Sequence, residues 1–175
     1  VRDGDLDLIS ARPDFYAVNF YNPTTIGAPA ADSPIPFDLL PTPGVPVTGF
    51  GDQWPIMPST LTTVLTDFTR RYADVLPPLI VSENGASFPE PDEGCRVDDT
   101  DRIAYLDGHL RAVTAAMADG ADVREYTVWS LLDNFEWADG YTQRFGLTHV
   151  DFATGERTPK ASYDWYRNVI ARARA

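Results

Sequence analysis

A carboxylate follows the most apolar strand-like segment of the chain. Glu83 comes two residues after the continuous apolar run at residues 79–81, and an Asn-Gly pair follows it. In parallel α/β folds the carboxyl ends of the strands open onto the active site, so a rigid strand would aim Glu83 into a cleft. A carboxylate held there can do nucleophilic or acid–base chemistry. Taken alone, the position favours a simpler interpretation, in which Glu83 caps N–H groups of its own loop.

A second group of polar and aromatic residues follows another strand-like segment. Within nine residues the chain carries Trp129, Asp133, Asn134, Glu136 and Trp137. This combination suits sugars, because aromatic faces cover C–H patches while carboxylates and amides bind pairs of hydroxyls. The alternative assigns the aromatic rings to the core and Glu136 to solvent, which is common for such residues.

A third feature lies at the end of the first strand-like segment. Asn19 and Tyr21 stand there, within a run of aromatic and β-branched residues. A tyrosine hydroxyl beside a carboxylate can donate a hydrogen bond that stabilises the charged form. A strand-end tyrosine with a buried ring and a solvated hydroxyl explains this segment equally well.

Together and in this order, the three features resemble glycoside hydrolase family 1, the retaining β-glucosidases. The matching stretches are residues 19–21, 54–58, 82–85, 129–137, 144–147, 150–151 and 157–160. They cover nearly the whole chain and are long and specific. Ser82 stands where the family more often has threonine.

The resemblance implies an α/β fold, the (β/α)8 TIM barrel, of which this chain would be roughly the last three β/α units. Residues 1–175 would then be a single C-terminal segment of an incomplete domain. Glu83 matches the catalytic nucleophile, and Tyr21 matches the tyrosine that hydrogen-bonds to it. The residues that match the substrate-binding positions are Trp129, Glu136 and Trp137 on the nonreducing sugar, Asn19 and Phe145 beside it, and Trp54 near the aglycone.

The implied activity is retaining hydrolysis of terminal nonreducing β-D-glucosyl residues, with galactosyl or fucosyl residues as further candidates. It proceeds through a covalent glycosyl-enzyme on Glu83 and needs no metal or organic cofactor. The family's acid/base glutamate lies in an Asn-Glu-Pro motif, which does not occur in this chain. We therefore expect the partner of this segment to be a missing N-terminal part of the barrel, and the 175 residues alone to be inactive.

Two alternatives stay open at this point. The first is a non-catalytic half-barrel or pseudoenzyme that binds a sugar or a partner chain, although the candidate nucleophile and its tyrosine are both retained. The second is a phospho-β-glycosidase, a class that lacks the Glu-Trp pair and offers Lys and Tyr to the phosphate. Here Glu136 and Trp137 are present, and Gln143 and Phe145 stand where those phosphate-binding residues would be.

The elements that must position these residues alternate between strand and helix. Strands are predicted at residues 15–20, 79–81 and 125–131, and helices from Ser59 to Pro77, from about residue 103 to Gly120, and from about Lys160. A small hairpin is predicted at residues 145–158, turned at 154–155. Residues 22–58 carry nine prolines and predict an irregular loop. The alternation predicts parallel strands, and three units are too few for a closed barrel of ~250 residues.

Composition excludes several other classes of function. The 175 residues include 26 acidic and 14 basic side chains, for a net charge of −12, which argues against nucleic-acid binding. No apolar run is long enough to span a bilayer. Cys95 is the single cysteine, so no intrachain disulfide or thiolate zinc site can form. We expect a cytoplasmic protein of unspecified oligomeric state.

The remaining metal-ligating residue types give no site by their spacing. His109 and His149 have no partner at metal-ligand spacing, and we expect both to be structural. The acidic stretch at residues 90–101 lacks the spacing of a calcium loop and predicts a solvated loop.

Overall fold

The computed structural model describes residues 1–90 and 97–174. In chain order its elements are α1 (Asp5–Ile9), β1 (Tyr16–Asn19), β2 (Thr25–Gly27), β3 (Asp38–Leu40), β4 (Val47–Thr48), β5 (Gly51–Pro55), α2 (Ser59–Arg71), β6 (Leu79–Asn84), α3 (Thr100–Ala118), β7 (Val123–Val128), a 3-10 turn (Trp137–Asp139), β8 (Thr148–Val150), β9 (Arg157–Pro159) and α4 (Ala161–Ala173).

A parallel three-stranded sheet in the order β1-β6-β7 forms the centre of the fold. Val81 of β6 pairs with Val18 of β1 on one side and with Tyr126 of β7 on the other. Helix α2 connects β1 to β6, helix α3 connects β6 to β7, and α4 follows β7. The predicted alternation of strand and helix is confirmed. In the described sheet β1 and β7 each pair along one edge only.

The main core lies between this sheet and helices α2 and α3. Leu61 and Leu65 of α2 are one helical turn apart and fully buried, as are Leu79 and Val81 of β6. The other buried members of this core are Val18, Phe20, Ala112, Val113, Ala116, Ala121 and Val123. Burial on the helix side fixes the apolar run of β6 and with it the direction of the strand that carries Glu83.

A second core fixes α4 and the β8–β9 hairpin against α3. Its buried members are Ala86, Tyr105, Leu106 and Leu147, and three aromatic side chains of α4 pack against them. The hairpin pairs β8 with β9 in antiparallel register, and Gly155 turns it with a φ of 77°. The predicted hairpin and the predicted final helix are confirmed.

The prediction of an irregular loop at residues 22–58 is wrong in part. Two small antiparallel hairpins form there, β2–β3 and β4–β5. Of the nine prolines in this segment, Pro55 alone lies within a strand, as the last residue of β5. The others lie in the connections, where a missing N–H removes no ladder hydrogen bond.

Several predicted boundaries also differ. Helix α2 ends at Arg71, well before Pro77, because the chain turns at Tyr72, whose carbonyl accepts the N–H groups of Val75 and Leu76. Strand β7 spans Val123–Val128 and ends three residues earlier than predicted. Gly120 follows α3 with a φ of 98°, as expected for a glycine at a helix C-terminus.

The acidic stretch at residues 90–101 was predicted to be solvated, and its described part is solvated only in places. Asp98 and Asp101 are exposed, whereas the side chains of Glu90 and Asp99 are 2% exposed and both pair with Arg102. Residues 91–96, including Cys95, lie outside the described part of the chain. Among the described residues, no helix combines the length and apolar character needed to cross a bilayer.

Candidate active site

Glu83 lies near the carboxyl end of β6 and is half-buried. In the sheet it stands opposite Asn19 of β1, whose amide oxygen accepts a hydrogen bond of 2.6 Å from Ser82. The glycine two residues later is required by close contact, because a Cβ on Gly85 would lie 1.7 Å from the Trp129 carbonyl oxygen. The sequence motif around Glu83 therefore lets the segment after β7 pack closely against the backbone at Gly85.

Tyr21 contacts the Glu83 carboxylate directly. Its hydroxyl donates to Glu83 Oε2 at 2.7 Å. Burial raises the pKa of Tyr21 well above its usual value, and the hydrogen bond to Glu83 and the Glu83 charge raise it further. The hydroxyl consequently stays protonated at neutral pH and can donate to the carboxylate.

A buried hydrogen-bond network lies behind this pair. The Asn84 amide donates to the Phe20 carbonyl at 2.7 Å and to the Tyr105 hydroxyl at 3.1 Å, while the Tyr126 hydroxyl donates to the Asn84 carbonyl oxygen. Tyr105 in turn donates to the Tyr21 carbonyl at 2.7 Å. The network fixes the backbone on both sides of the Glu83 contact, and no sequence pattern indicates it.

An aromatic wall stands on the other side of Tyr21. The Trp54 ring lies 5.5 Å from the Tyr21 ring and 6.3 Å from the Phe145 ring, measured between centroids. Phe50 stacks on Trp54 at 4.3 Å and lies 5.9 Å from Phe145. Phe50 was not predicted as a site residue from the sequence. An aromatic residue four positions before Trp54 could have indicated it. However, this hairpin was predicted to be an irregular loop because of its prolines.

Glu136 faces the same region from the segment that follows β7. Burial raises its pKa, a hydrogen bond from the Trp129 side chain lowers it, and the charges of Asp139 and Glu83 raise it. Because the Glu83 charge acts on Glu136, the two carboxylates lie within electrostatic reach of each other. Trp137, by contrast, points into solvent with 85% of its surface exposed. Thus the structure gathers the predicted site residues apart from Trp137.

A cleft of about 380 Å³ opens beside Tyr21. Its lining includes Asn19, Tyr21 and Trp54, together with Thr25 and Leu40 of the β2–β3 hairpin. Such a volume accommodates a small ligand. The mixture of aromatic, amide and hydroxyl groups suits a polar ring compound with apolar faces.

Glu90, Asp133 and His149 form one group in the described structure that has the ligand types of a metal site. One ligand atom from each lies within 4.8 Å of the others, an arrangement that their spacing in the sequence does not indicate. The Lys160 ammonium already contacts both carboxylates, at 2.6 Å from Glu90 and 2.9 Å from Asp133. Because a lysine cation neutralises these carboxylates, the group is better described as a buried ion-pair network than as a metal centre.

His109 lies in the interior of α3, as predicted for a structural histidine. Its Nδ1 is 2.8 Å from the Tyr105 carbonyl oxygen, and burial lowers its pKa to about 4 against the opposing effect of that hydrogen bond. The imidazole is therefore neutral at pH 7.

The model of the family described as "Glycosyl hydrolase family 1" matches residues 1–175. The chain belongs to glycosyl hydrolase family 1. It is 44% identical to a bifunctional beta-D-glucosidase/beta-D-fucosidase of Bifidobacterium breve, with 98% of this chain and 40% of that protein aligned. It is 42% identical to the thermostable beta-glucosidase B of Thermobispora bispora, over 96% of this chain and 35% of that protein.

Solved family 1 structures share the fold. The psychrophilic beta-glucosidase BglU of Micrococcus antarcticus superposes with a TM-score of 0.87 at 38% identity, over 98% of this chain and 40% of that one. The chain thus spans well under half the length of the relatives it matches and corresponds to the C-terminal part of their TIM barrel. Strands β1, β6 and β7 are adjacent parallel strands of a partial family 1 barrel.

Proposed function

We propose that this chain supplies the nucleophile-bearing part of a retaining β-glucosidase. The observation that carries the proposal is the 2.7 Å hydrogen bond from Tyr21 to the Glu83 carboxylate at the carboxyl end of β6. A hydroxyl donor stabilises the ionised carboxylate that a nucleophile must be. Retention of this contact weighs against a non-catalytic half-barrel.

In the proposed mechanism Glu83 attacks the anomeric carbon of a β-glucoside. The bond from Glu83 to the sugar forms while the bond to the leaving oxygen breaks, and a second carboxylic acid protonates that oxygen. The same second group then deprotonates a water molecule, which releases the sugar from Glu83. Retaining enzymes hold the two carboxyl groups about 5–5.5 Å apart.

The second carboxyl group is proposed to come from an N-terminal part of the barrel that bears Asn-Glu-Pro. That tripeptide does not occur in residues 1–175. Glu136 is a poor substitute, because its proposed role is to accept hydrogen bonds from sugar hydroxyls. Residues 1–175 are accordingly proposed to be one incomplete segment of the catalytic domain, and a cytoplasmic location stays a prediction.

The proposed substrate is an unphosphorylated β-D-glucoside. The Ser87 hydroxyl donates to the Gln143 side-chain carbonyl at 2.5 Å, and Phe145 is buried in the aromatic wall. Neither Gln143 nor Phe145 carries a positive charge that could bind a phosphate. The Glu136 carboxylate would also repel a phosphate dianion. The name of the Bifidobacterium breve relative supports β-D-fucosides as a second substrate.

Product stereochemistry and substrate preference test the proposal together. The chain joined to its N-terminal part should release β-D-glucose first from an aryl β-D-glucoside, as observed by proton NMR before mutarotation. It should hydrolyse the 6-phosphorylated glucoside at a small fraction of its rate on the unphosphorylated glucoside. Initial release of the α anomer, or a preference for the phosphorylated substrate, contradicts the proposal.

Glu136→Ala should lower kcat/KM for the glucoside on the order of 100-fold, or about 3 kcal/mol. The loss arises because sugar hydroxyls bound in the closed site lose a charged acceptor. Glu156→Ala is the matched control, since it removes an exposed carboxylate of the hairpin turn outside the site and should leave kcat/KM within about twofold. An unchanged kcat/KM in Glu136→Ala would mean that Glu136 does not touch the sugar.

A further inference from the structure

A network of buried charged groups lies behind the sugar-binding loop, defined as residues 129–137. Three carboxylates and three cations balance one another in it. They are Glu90, Asp99 and Asp133, and Arg102, Arg144 and Lys160. Every side chain in this buried ion network is at most 2% exposed, apart from Arg144 at 16%. Buried charges are tolerated when they are paired, so removal of one member leaves another uncompensated.

Lys160 is the cation shared by the two sides of the network. Its ammonium donates to Glu90 Oε1 at 2.6 Å and to Asp133 Oδ1 at 2.9 Å, and its side chain is fully buried. Its backbone N–H donates to the Leu147 carbonyl at 2.9 Å. Lys160 is therefore fixed at the start of α4, and its charge points towards the loop rather than towards solvent.

Asp133 belongs to the sugar-binding loop and uses both of its oxygens. Oδ1 accepts from the Gly146 N–H at 2.8 Å as well as from Lys160, and Oδ2 accepts from Arg144 and from the Val150 N–H, each at 3.3 Å. One carboxylate thus ties the loop to the segment at residues 144–150.

The two chain segments joined by Asp133 carry two walls of the proposed site. Glu136 is three residues after Asp133, and Phe145 immediately precedes Gly146. The backbones are in direct contact, since a Cβ on Gly146 would lie 2.2 Å from the Asp133 nitrogen. A small movement of Asp133 would consequently change the position of Glu136 relative to Phe145.

We propose that Lys160 is a positioning residue, which holds Glu136 at the sugar through its ion pair with Asp133. This inference rests on the proposed function of Glu136. Without the ammonium, Glu90 and Asp133 lose the cation that they share, and the loop loses one of its fixed points. Misplacement of a binding group by about 1 Å can cost up to about 100-fold in rate. Lys160 exerts this effect without touching the substrate.

A double-mutant cycle on the complete enzyme tests the inference. Lys160→Met, which removes the ammonium and keeps an unbranched side chain, should lower kcat/KM for an aryl β-D-glucoside by roughly 10- to 100-fold. In the Glu136→Ala background the same substitution should cost less than about threefold, because the group that it displaces is already gone. The assays are run well below the unfolding temperature of each variant.

Leu61→Ala is the matched control for stability. It opens a cavity in the core beside α2, lowers stability and should combine additively with Glu136→Ala. If Lys160→Met does not fold, Lys160→Arg replaces it in the double-mutant cycle, because arginine retains the positive charge but shifts its position. It should show a smaller loss with the same coupling to Glu136.

The outcomes separate the inference from the proposed function. An unchanged kcat/KM in Lys160→Met, or losses in either Lys160 variant that add to that of Glu136→Ala, would show that Lys160 is merely structural. A complete enzyme that hydrolyses no β-glucoside contradicts the proposed function itself. Normal activity of Glu136→Ala contradicts the role of Glu136 and removes the basis of the inference.

Discussion

Glu83→Gln in the complete enzyme should lower kcat on the order of 10⁴-fold or more, while the fold is retained. The amide carbonyl can still accept the Tyr21 hydroxyl that lies 2.7 Å from the carboxylate. It cannot form the ester to the anomeric carbon that double displacement requires. Steady-state rates on an aryl β-D-glucoside, with a thermal unfolding curve for each protein, provide the measurement.

Covalent trapping identifies the nucleophile independently of the rate. A 2-deoxy-2-fluoro-glucoside with a good leaving group should add one sugar to the wild-type enzyme, on the peptide that contains Glu83. Glu156→Gln is the matched control, because this exposed glutamate in the turn of the β8–β9 hairpin undergoes the same chemical change outside the site. It should be labelled like the wild type. A label on Glu136 or Glu90 would overturn the assignment of Glu83.

The sheet and its helices were predictable because their signals are local. The apolar run at residues 79–81 identified β6, and the spacing of Leu61 and Leu65 identified the buried face of α2. The two hairpins at residues 22–58 were not predictable in the same way. Whether a proline disrupts a ladder depends on which residues pair, and a count of prolines does not contain that information.

The site was predicted from the resemblance more than from the residues taken singly. Spacing placed Glu83 and Tyr21 at strand ends, but each had an ordinary structural explanation. The contact between them joins residues 62 positions apart. The resemblance also assigned Trp137 to the sugar, whereas its side chain in this structure is exposed, and its role stays a prediction.

The buried ion network could not be predicted from sequence patterns. Glu90 lies in a stretch whose composition indicates a solvated loop, yet its carboxylate is buried against the ammonium of Lys160, 70 residues further on. Charge composition reveals the excess of acids but not the distant cation that makes burial favourable. Contacts of this range appear only when the second core brings α4 against α3.

The 175-residue chain alone should not hydrolyse β-glucosides at an enzymatic rate. The absent general acid leaves a poor leaving group unprotonated, and such an acid typically contributes about 10²–10⁴-fold. The absent part of the barrel also removes groups that orient the substrate, an effect that is often larger. In an aryl β-D-glucoside assay, the purified chain should therefore give no rate above that of the Glu83→Gln variant of the same 175-residue chain.

The same chain should associate or precipitate, for reasons visible in its surface. Strands β1 and β7 have unpaired outer edges in the described sheet, and such edges pair readily with other chains. Beside β7 an apolar groove of about 360 Å³ is open to solvent. Its lining includes Tyr126, Leu131, Leu147, Tyr163, Tyr166 and Ile170. In a closed barrel the first strand and helix would cover both the edge of β7 and this groove.

Addition of the N-terminal part, expressed as a separate chain, should restore both solubility and turnover. Light scattering measures the association state, and the rate of aryl glucoside hydrolysis measures the activity. The Glu83→Gln form of the 175-residue chain is the matched control, since it should assemble with the N-terminal part but stay inactive. If this variant assembles without activity, restored folding is distinguished from restored catalysis. Strong turnover by a monodisperse monomer of residues 1–175 would contradict the proposal that the acid/base lies in an N-terminal part of the barrel, because a second catalytic carboxylate would then have to lie within this chain.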